Sequence, residues 1–524
     1  MDKKKGVLVI ITGGNIGLIA KNDNFGNAVL EPVTIDDLKE IILCDGNASS
    51  IVLREQTLDG TNVPISFLDL RDTTNRRYHD PEELDSAQID PSLWSLLTQT
   101  IRDKYRNHEG FVILHGLDTM AYTASALSFL LQNLQSPIIL TGSQRPLNYP
   151  RTDALQNIYS SITLAACNTL NLKPNIPEVT VFSYDTLFRG NRASMTNASS
   201  YRSFDSPNFP HLCTVGEHIT YQTHLIRKGA SSNHLNVKTE VDAKVVILDV
   251  FPGMDAAIIK SLAKENESQI KGVLLRTYGM GTAPTSSNVL QALEDLNKNK
   301  IVVMNVTQAR SGRISHGSDP VSLRLFEQGV ISGVDMTAEA AYSKMVIYCS
   351  EKNNFEEISD SLQIEHYGEQ SLSIFNIHFP SGDTKEESSA DKCMATLIPK
   401  KNITGGHLID YSLIKNIQIR LLGLEPVAKE EGKPVNRTIE LELSLVDPTV
   451  EHKKIAHHLK SDILRWSSKG RNTINIAYDV TEAKDKLLSP GDMHMPSTYL
   501  LIETNEPIKW TRCQFVIFAA IHDK

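Results

Sequence analysis

The feature that most constrains this chain is the continuous apolar run Gly6–Thr12, which stops abruptly at Gly13-Gly14. A run without polar alternation has no face to offer water, so it must be covered on both sides. Similar runs recur at Gly110–His115 and Ser136–Thr141, followed by helical spacing over Thr119–Leu134 and Thr152–Ala166. This strand–turn–helix repetition predicts a doubly wound α/β lobe built on a parallel sheet. A smaller α/β lobe follows, with strands predicted at Lys244–Asp249, Gly272–Arg276 and Lys300–Asn305. Helices are predicted between them at Met254–Lys264 and Ser287–Asn297, and 199–236, of mixed polarity, reads as a connector.

Beyond about His366 the pattern changes. SLSIFNIHF, CMATLIP, NIQIRLLG, RTIELELSLVD, NTINIAYD, TYLLIET and RCQFVIFAA read as short strands between polar, turn-rich stretches. They predict an antiparallel sandwich or jelly roll, interrupted by a helix near Val450–Leu464. The expected organisation is therefore residues 1–215 with a connector to about 240, a second lobe over 241–365, and an accessory or assembly domain over 366–524.

A chain of 524 residues exceeds one hydrophobic core, which agrees with that division. The formal net charge is -9, with no long basic stretch, which argues against nucleic acid or an anionic membrane as the main partner. No apolar stretch approaches the roughly 20 residues a spanning helix needs. The apolar run after Lys3–Lys5 leads into a glycine turn without a small-residue cleavage site, so a buried strand explains it better than a secretory signal. Cys44, Cys167, Cys213, Cys349, Cys393 and Cys513 are widely spaced and read as thiols of a reducing compartment, which makes the cytoplasm the expected location. No His/Cys/Asp/Glu spacing suggests a metal site, and no motif asks for a cofactor; the GxG of Gly279-Met280-Gly281 is too weak to suggest a dinucleotide.

In an open α/β sheet the ligand sits beyond the carboxyl ends of the strands. The loops there read ITGGNIG (11–17), ILHGLDTMAYTASALSF (113–129), ILTGSQRP (139–146) with RTDALQN, and LFRGNRASM (187–195). LRTYGMGTAP (275–284), VTQARSG (306–312) and GVDMTAEAA (333–341) follow. In order and spacing these motifs resemble the type I, cytoplasmic-type L-asparaginases over about residues 5–365. The resemblance implies the asparaginase α/β fold, a homo-oligomer (dimer or tetramer) through the α/β lobes, and a small amino-acid ligand. It also places the loop around Tyr278 near the effector or subunit-contact region of such enzymes.

In active members, the resemblance implies, a threonine of TGGTIG attacks the amide and a threonine–lysine–aspartate relay centred on HGTDT supports it. A hydroxyl needs such a neighbour, because it is a weak nucleophile until its proton is taken. Here the first position is Asn15, the relay threonine is replaced by Leu117, and the relay lysine aligns with Met195. Leucine can neither donate nor accept a hydrogen bond. The loop 21–32 contains Phe25 but no tyrosine, and only Asp118 of the relay remains. The expectation is a catalytically degenerate homologue serving a structural, assembly or ligand-sensing role. A rewired amidohydrolase or related hydrolase is the alternative.

Remnants of a ligand pocket are expected at Thr12, Thr73, Thr74, Asp118 and Thr119. Thr12 reads equally as scaffold at the strand end, and Thr119 as the helix cap. Asp118 fits either the α-amino group of an amino acid or the positive end of a helix. His115, Gln144 and Arg145 read as structural, and Ser194 as a polar group beside Met195. The region 366–524 offers strand edges through which a further protein partner can pair.

Overall fold

The computed structural model describes residues 5–22, 28–43, 49–53, 61–71, 85–167, 169–170, 174–229, 234–264, 269–314, 320–352, 354–379, 382–383, 385–386, 393–397, 414–426, 437–446, 455–466, 474–480, 482, 499–504, 508–510 and 512–520. The run Gly6–Ile11 is a strand buried at every position, flanked in parallel by Thr61–Asp69 and His108–Leu114. Ile138–Thr141 and Val179–Ser183 continue the parallel order, and antiparallel strands finish both edges of a nine-stranded sheet. Helices α1 (Ile35–Leu43), α2 (Pro91–Lys104), α3 (Leu117–Leu130) and α4 (Ala154–Ala165) belong to this lobe. The second lobe is a four-stranded parallel sheet, Lys244–Asp249, Ile270–Thr277, Val302–Thr307 and Ile331–Ser332. Its helices are α5 (Ala256–Lys264), α6 (Ser287–Lys298), α7 (Pro320–Glu327), α8 (Ala338–Glu351) and α9 (Phe355–Gln363).

Helix α3 is buried on nearly every face, as its run of Ala, Ser, Thr and Leu allows. Met120, Ala121, Ala124 and Leu127 pack with Leu8, Ile10 and Phe111 of the first sheet. Ala126, Phe129 and Leu130 pack with Ala340, Met345 and Tyr348 of α8. Ion pairs finish the joint between the lobes: Arg192–Asp335 at 3.0 Å, almost wholly buried, and, inside α8's packing, Lys344–Glu369 at 2.7 Å, fully shielded from water. Burial alone would raise the Glu369 carboxyl, but the Lys344 ammonium holds it ionised, down at about 2. Lys344 also donates to the Ile364 carbonyl at 2.6 Å.

Among the described residues, the region after residue 371 forms two antiparallel sheets of six and five strands. Alternation places Ile417, Ile419 and Leu421 inward on one sheet and Leu441 and Leu443 inward on the other. The expected helix near Val450–Leu464 is instead, over its described part, the strand Ile455–Trp466. Register shifts opposite Leu443/Ser444 and Leu445/Val446 insert Leu459 and Ala456 as extra residues. These bulges break the two-residue period, so the apolar residues fall at helix-like intervals. The domain docks on the second lobe through Arg420 stacked 4.9 Å from the Phe326 ring, Ala477 against Leu323 and Phe326, and Val334 against Ile374 and Val516.

His115 ends the third parallel strand segment with no exposed surface, its Nδ1 2.7 Å from the Gly116 carbonyl and its Nε2 3.0 Å from Thr123 Oγ1. The Gly116 carbonyl needs a proton on Nδ1, the Thr123 hydroxyl can serve Nε2 as donor or acceptor, and burial selects the neutral ring. Burial pushes its pKa down to about 4. The unfolded chain, with an ordinary histidine near 6.5, therefore binds the proton first. Stability from this group is complete above about pH 6.5 and is lost as pH falls toward about 4, by up to about 3 kcal/mol. Denaturation midpoints of wild type and His115→Asn across that window test this, the expected result being a shallower acid slope in the variant.

Candidate active site and interlobe cleft

Three loops meet at the carboxyl ends of the parallel strands. Gly14 has φ of 76°, and a Cβ built on it would lie 2.2 Å from the Gly116 Cα, so both the backbone conformation and the contact demand glycine. A Cβ on Gly142 would meet the His115 carbonyl oxygen at 2.6 Å and the Leu117 side chain at 2.7 Å. The backbone around the three motifs is thus locked together, with Asn15 and Leu117 following the two touching glycines.

Asn15 opens a short 3-10 turn and is exposed, and its Nδ2 donates to the Gln144 carbonyl at 3.2 Å. Leu117 is the first residue of α3, half-buried. Met195 lies on the two-residue strand Ser194–Met195, opposite Phe204. Leu117 and Met195 pack against the same apolar cluster, that of Leu8, Ile10, Phe111 and Met120. Thr12 stays with the scaffold: its backbone N–H and its hydroxyl both donate to the Leu114 carbonyl at 3.0 Å. Asp118 is exposed in the first turn of α3, with no hydrogen bond or ion pair among the described residues. Thr73 and Thr74, like Phe25, lie outside the described residues.

Thr119 is not the helix cap. Helix α3 begins two residues earlier, with Gly116 at the cap position and no side-chain cap bond, and the Thr119 hydroxyl donates to the Ser86 carbonyl at 2.8 Å. The close glycine packing already supplies the turn, so the hydroxyl ties the helix to 86–88 instead. Gln144 is a structural node, its Nε2 2.9 Å from Ser203 Oγ and its backbone N–H donating to the Asp153 carboxylate at 3.1 Å.

A second polar site lies between the lobes. A cavity of about 370 Å³ is bounded by Tyr122 and Ser194–Thr196 from one lobe and by Arg276, Thr307–Arg310 and Met336–Glu339 from the other. Ser194 donates to Glu339 Oε1 at 2.7 Å across the lobes, while Glu339 sits in the first turn of α8. Burial raises the Tyr122 phenol and Glu339 adds to the shift, so Tyr122 stays a neutral hydroxyl. Arg276 pairs with Asp249 at 3.1 Å, and its buried Nε has no partner. Arg310 pairs with Asp205 at 2.7 Å. The cleft thus holds two guanidinium groups, each paired with an aspartate, and the Glu339 carboxylate.

The site residues that sequence reasoning passed over, Glu339, Arg276, Arg310 and Tyr122, all fall inside the quoted motifs. Their shared cavity depends on contacts between the lobes, a signal that spacing alone does not carry. No group of three or more His, Cys, Asp or Glu side chains forms a metal site among the described residues. No helix among them is long and apolar enough to cross a membrane.

Comparison with known proteins follows the same outline. Residues 6–227 match the model of the asparaginase N-terminal domain, and 244–362 that of the glutaminase/asparaginase C-terminal domain. L-asparaginase 1 of Escherichia coli K12 is 36% identical over 286 residues, which span 55% of this chain and 82% of that protein. The 60 kDa lysophospholipase of Mus musculus is also 36% identical, over 262 residues, but the match covers 50% of this chain and only 44% of that protein's length. The crystal structure of L-asparaginase I from Vibrio cholerae superposes with a TM-score of 0.58 at 28% identity, covering 70% of this chain and 100% of that one. With both lobes matched in order and most of a bacterial relative covered, the chain belongs to the type I L-asparaginase family.

Proposed function

We propose that this chain is a catalytically degenerate asparaginase homologue that has kept its scaffold and senses an amino acid at the interlobe cleft. The observation that carries the reading is the fate of the three substituted positions. Asn15 offers an amide already bonded to the Gln144 carbonyl, while Leu117 and Met195 extend one apolar cluster. The Met195 side chain has no basic group where the lysine would stand, and groups that act as a unit fail together. Ammonia release from L-asparagine and L-glutamine is expected to remain at least about 10³-fold below that of an active family member. Turnover within tenfold of such an enzyme would refute degeneracy.

A rewired hydrolase is the second reading, favoured by the Ser194 hydroxyl held 2.7 Å from the Glu339 carboxylate. Covalent labelling of Ser194 by an amino-acid electrophile, seen by peptide mass spectrometry, is its signature; the degenerate reading expects none.

The sensing role is supported by the charge pattern of the cleft and by the unpartnered Arg276 Nε. Calorimetric titration with aspartate, asparagine, glutamate and glutamine should show saturable binding of at least one. Arg276→Ala should weaken it about tenfold or more through loss of a charge-assisted bond. Absence of heat with all four would remove this role.

The family assignment also supports a homo-oligomer, dimer or tetramer, through the α/β lobes. Met280, Phe251 and Ile258 leave 63%, 47% and 38% of their surfaces exposed on the second lobe, an apolar area that a subunit contact would cover. Light scattering should give a mass at least twice that of the chain, and Met280→Glu should shift it downward; a monomer at all concentrations would exclude the assembly. A further protein partner at the C-terminal domain and a cytoplasmic location complete the proposal. Cys167, Cys213 and Cys349 are buried thiols that form no disulfide, which suits a reducing compartment.

A further inference from the structure

The interactions that join the two lobes around the cleft differ in depth. Far from water lie the packing of α3 on α8 and the almost wholly buried pair Arg192–Asp335. At the rim, Asp205 of the first lobe reaches Arg310 of the second at 2.7 Å, with side chains 49% and 62% exposed. Beside this pair, Asn208 accepts the Gly312 N–H at 2.7 Å and donates to the Asp335 carbonyl at 2.8 Å. Asp205 stands opposite Ser194 in a two-stranded ribbon, and Ser194 bonds Glu339 across the lobes. The ribbon and the strap that follows it thus clasp one rim of the cleft to the other.

The exposed pair is the part of this clasp that opens most readily. Ion pairs in water are worth little, whereas a buried pair cannot part without stranding its charges. Its geometry is also incomplete. A guanidinium carries five N–H donors, and among the described residues Arg310 uses one group, Nη2, toward Asp205. The second Asp205 oxygen accepts the Ser206 backbone N–H at 2.8 Å, so the carboxylate keeps a partner when Arg310 leaves. A free carboxylate can grip the same guanidinium through two parallel bonds, the stronger arrangement. Arg276, the other cation of the cleft, pairs with Asp249 on the adjacent strand of its own lobe. Exchange of partners at Arg276 leaves the lobes fastened, and exchange at Arg310 loosens the rim.

We propose that the α-carboxylate of an amino acid displaces Asp205 from Arg310, so that filling the cleft unfastens the Phe204–Asn208 strap from the loop of Arg310 and Gly312. This rests on the sensing reading given above and supplies its output, a change in how firmly the lobes are coupled. By linkage, loosening the clasp tightens the ligand by the same factor as the ligand loosens the clasp.

Hydrogen exchange and calorimetry on the full-length chain test both halves, because the Gly312 N–H reports the clasp without any ligand. Asp205→Asn should speed its exchange about two- to fivefold and tighten the best of L-aspartate, L-asparagine, L-glutamate and L-glutamine by a similar factor. Arg310→Ala should speed exchange equally but weaken that ligand about tenfold or more. In wild type the same ligand should speed Gly312 exchange, and L-asparaginamide, which lacks the carboxylate, should not. Asp249→Asn, a like charge change within one lobe, should leave Gly312 exchange unaltered. Unaltered exchange in ligand-free Asp205→Asn overturns the clasp whatever the calorimetry shows. Heat of binding with unchanged or slower Gly312 exchange overturns the displacement and leaves sensing standing. No heat with any of the four, in wild type and Asp205→Asn alike, removes sensing and the displacement together.

Discussion

The fold turns on the burial of α3 between two different partners. One side of this helix completes the core beneath the first sheet, and the other packs on α8 of the second lobe. A helix apolar on all sides is stable only inside a protein, so neither lobe can shed it without exposing a wide hydrophobic surface. Helix α3 also carries Leu117 and Asp118 at its start and Tyr122 one turn further, toward the interlobe cleft. Leu117 and the polar cleft are therefore set by the same packed element. The buried pairs Arg192–Asp335 and Lys344–Glu369 fix the arrangement further, since removing one partner of such a pair leaves a stranded charge, at about 3–5 kcal/mol.

The contrast between backbone and side chains at the strand ends has a physical basis. Gly14, Gly116 and Gly142 touch neighbouring backbone so closely that a methyl group would collide. Those positions are constrained by folding whether or not chemistry takes place. The side chains of Leu117 and Met195 are under no such steric constraint; they pack against an apolar cluster. Asn15 on its exposed turn is freer still.

Much of the architecture was legible in the sequence because continuous apolar runs and helical spacing are local signals. Gly6–Ile11 and Lys244–Asp249 appear where their composition placed them, and the seven strands expected in the last region are present among its eleven described ones. The misreading of Ile455–Trp466 came from two bulges that displaced its alternation. Thr119 misled for a different reason: a hydroxyl near a helix start usually caps it, but here glycine packing had moved the start. At the candidate site the glycine-bounded loops that bring Asn15 and Leu117 together were legible as motifs. The cleft was not, because Ser194 and Glu339 meet across 145 residues of chain.

Arg420 carries a consequence of another kind. Its side chain is almost wholly buried, burial pulls its pKa down to about 9, and its guanidinium covers the ring of Phe326 on α7. The all-β region thus contributes part of the wall of the second lobe. Deleting it would uncover Phe326, Leu323 and Val334 at once. Aggregation of such a truncated chain would report a torn surface, and a phenotype read from domain deletion would confuse the work of the all-β region with the integrity of its neighbour.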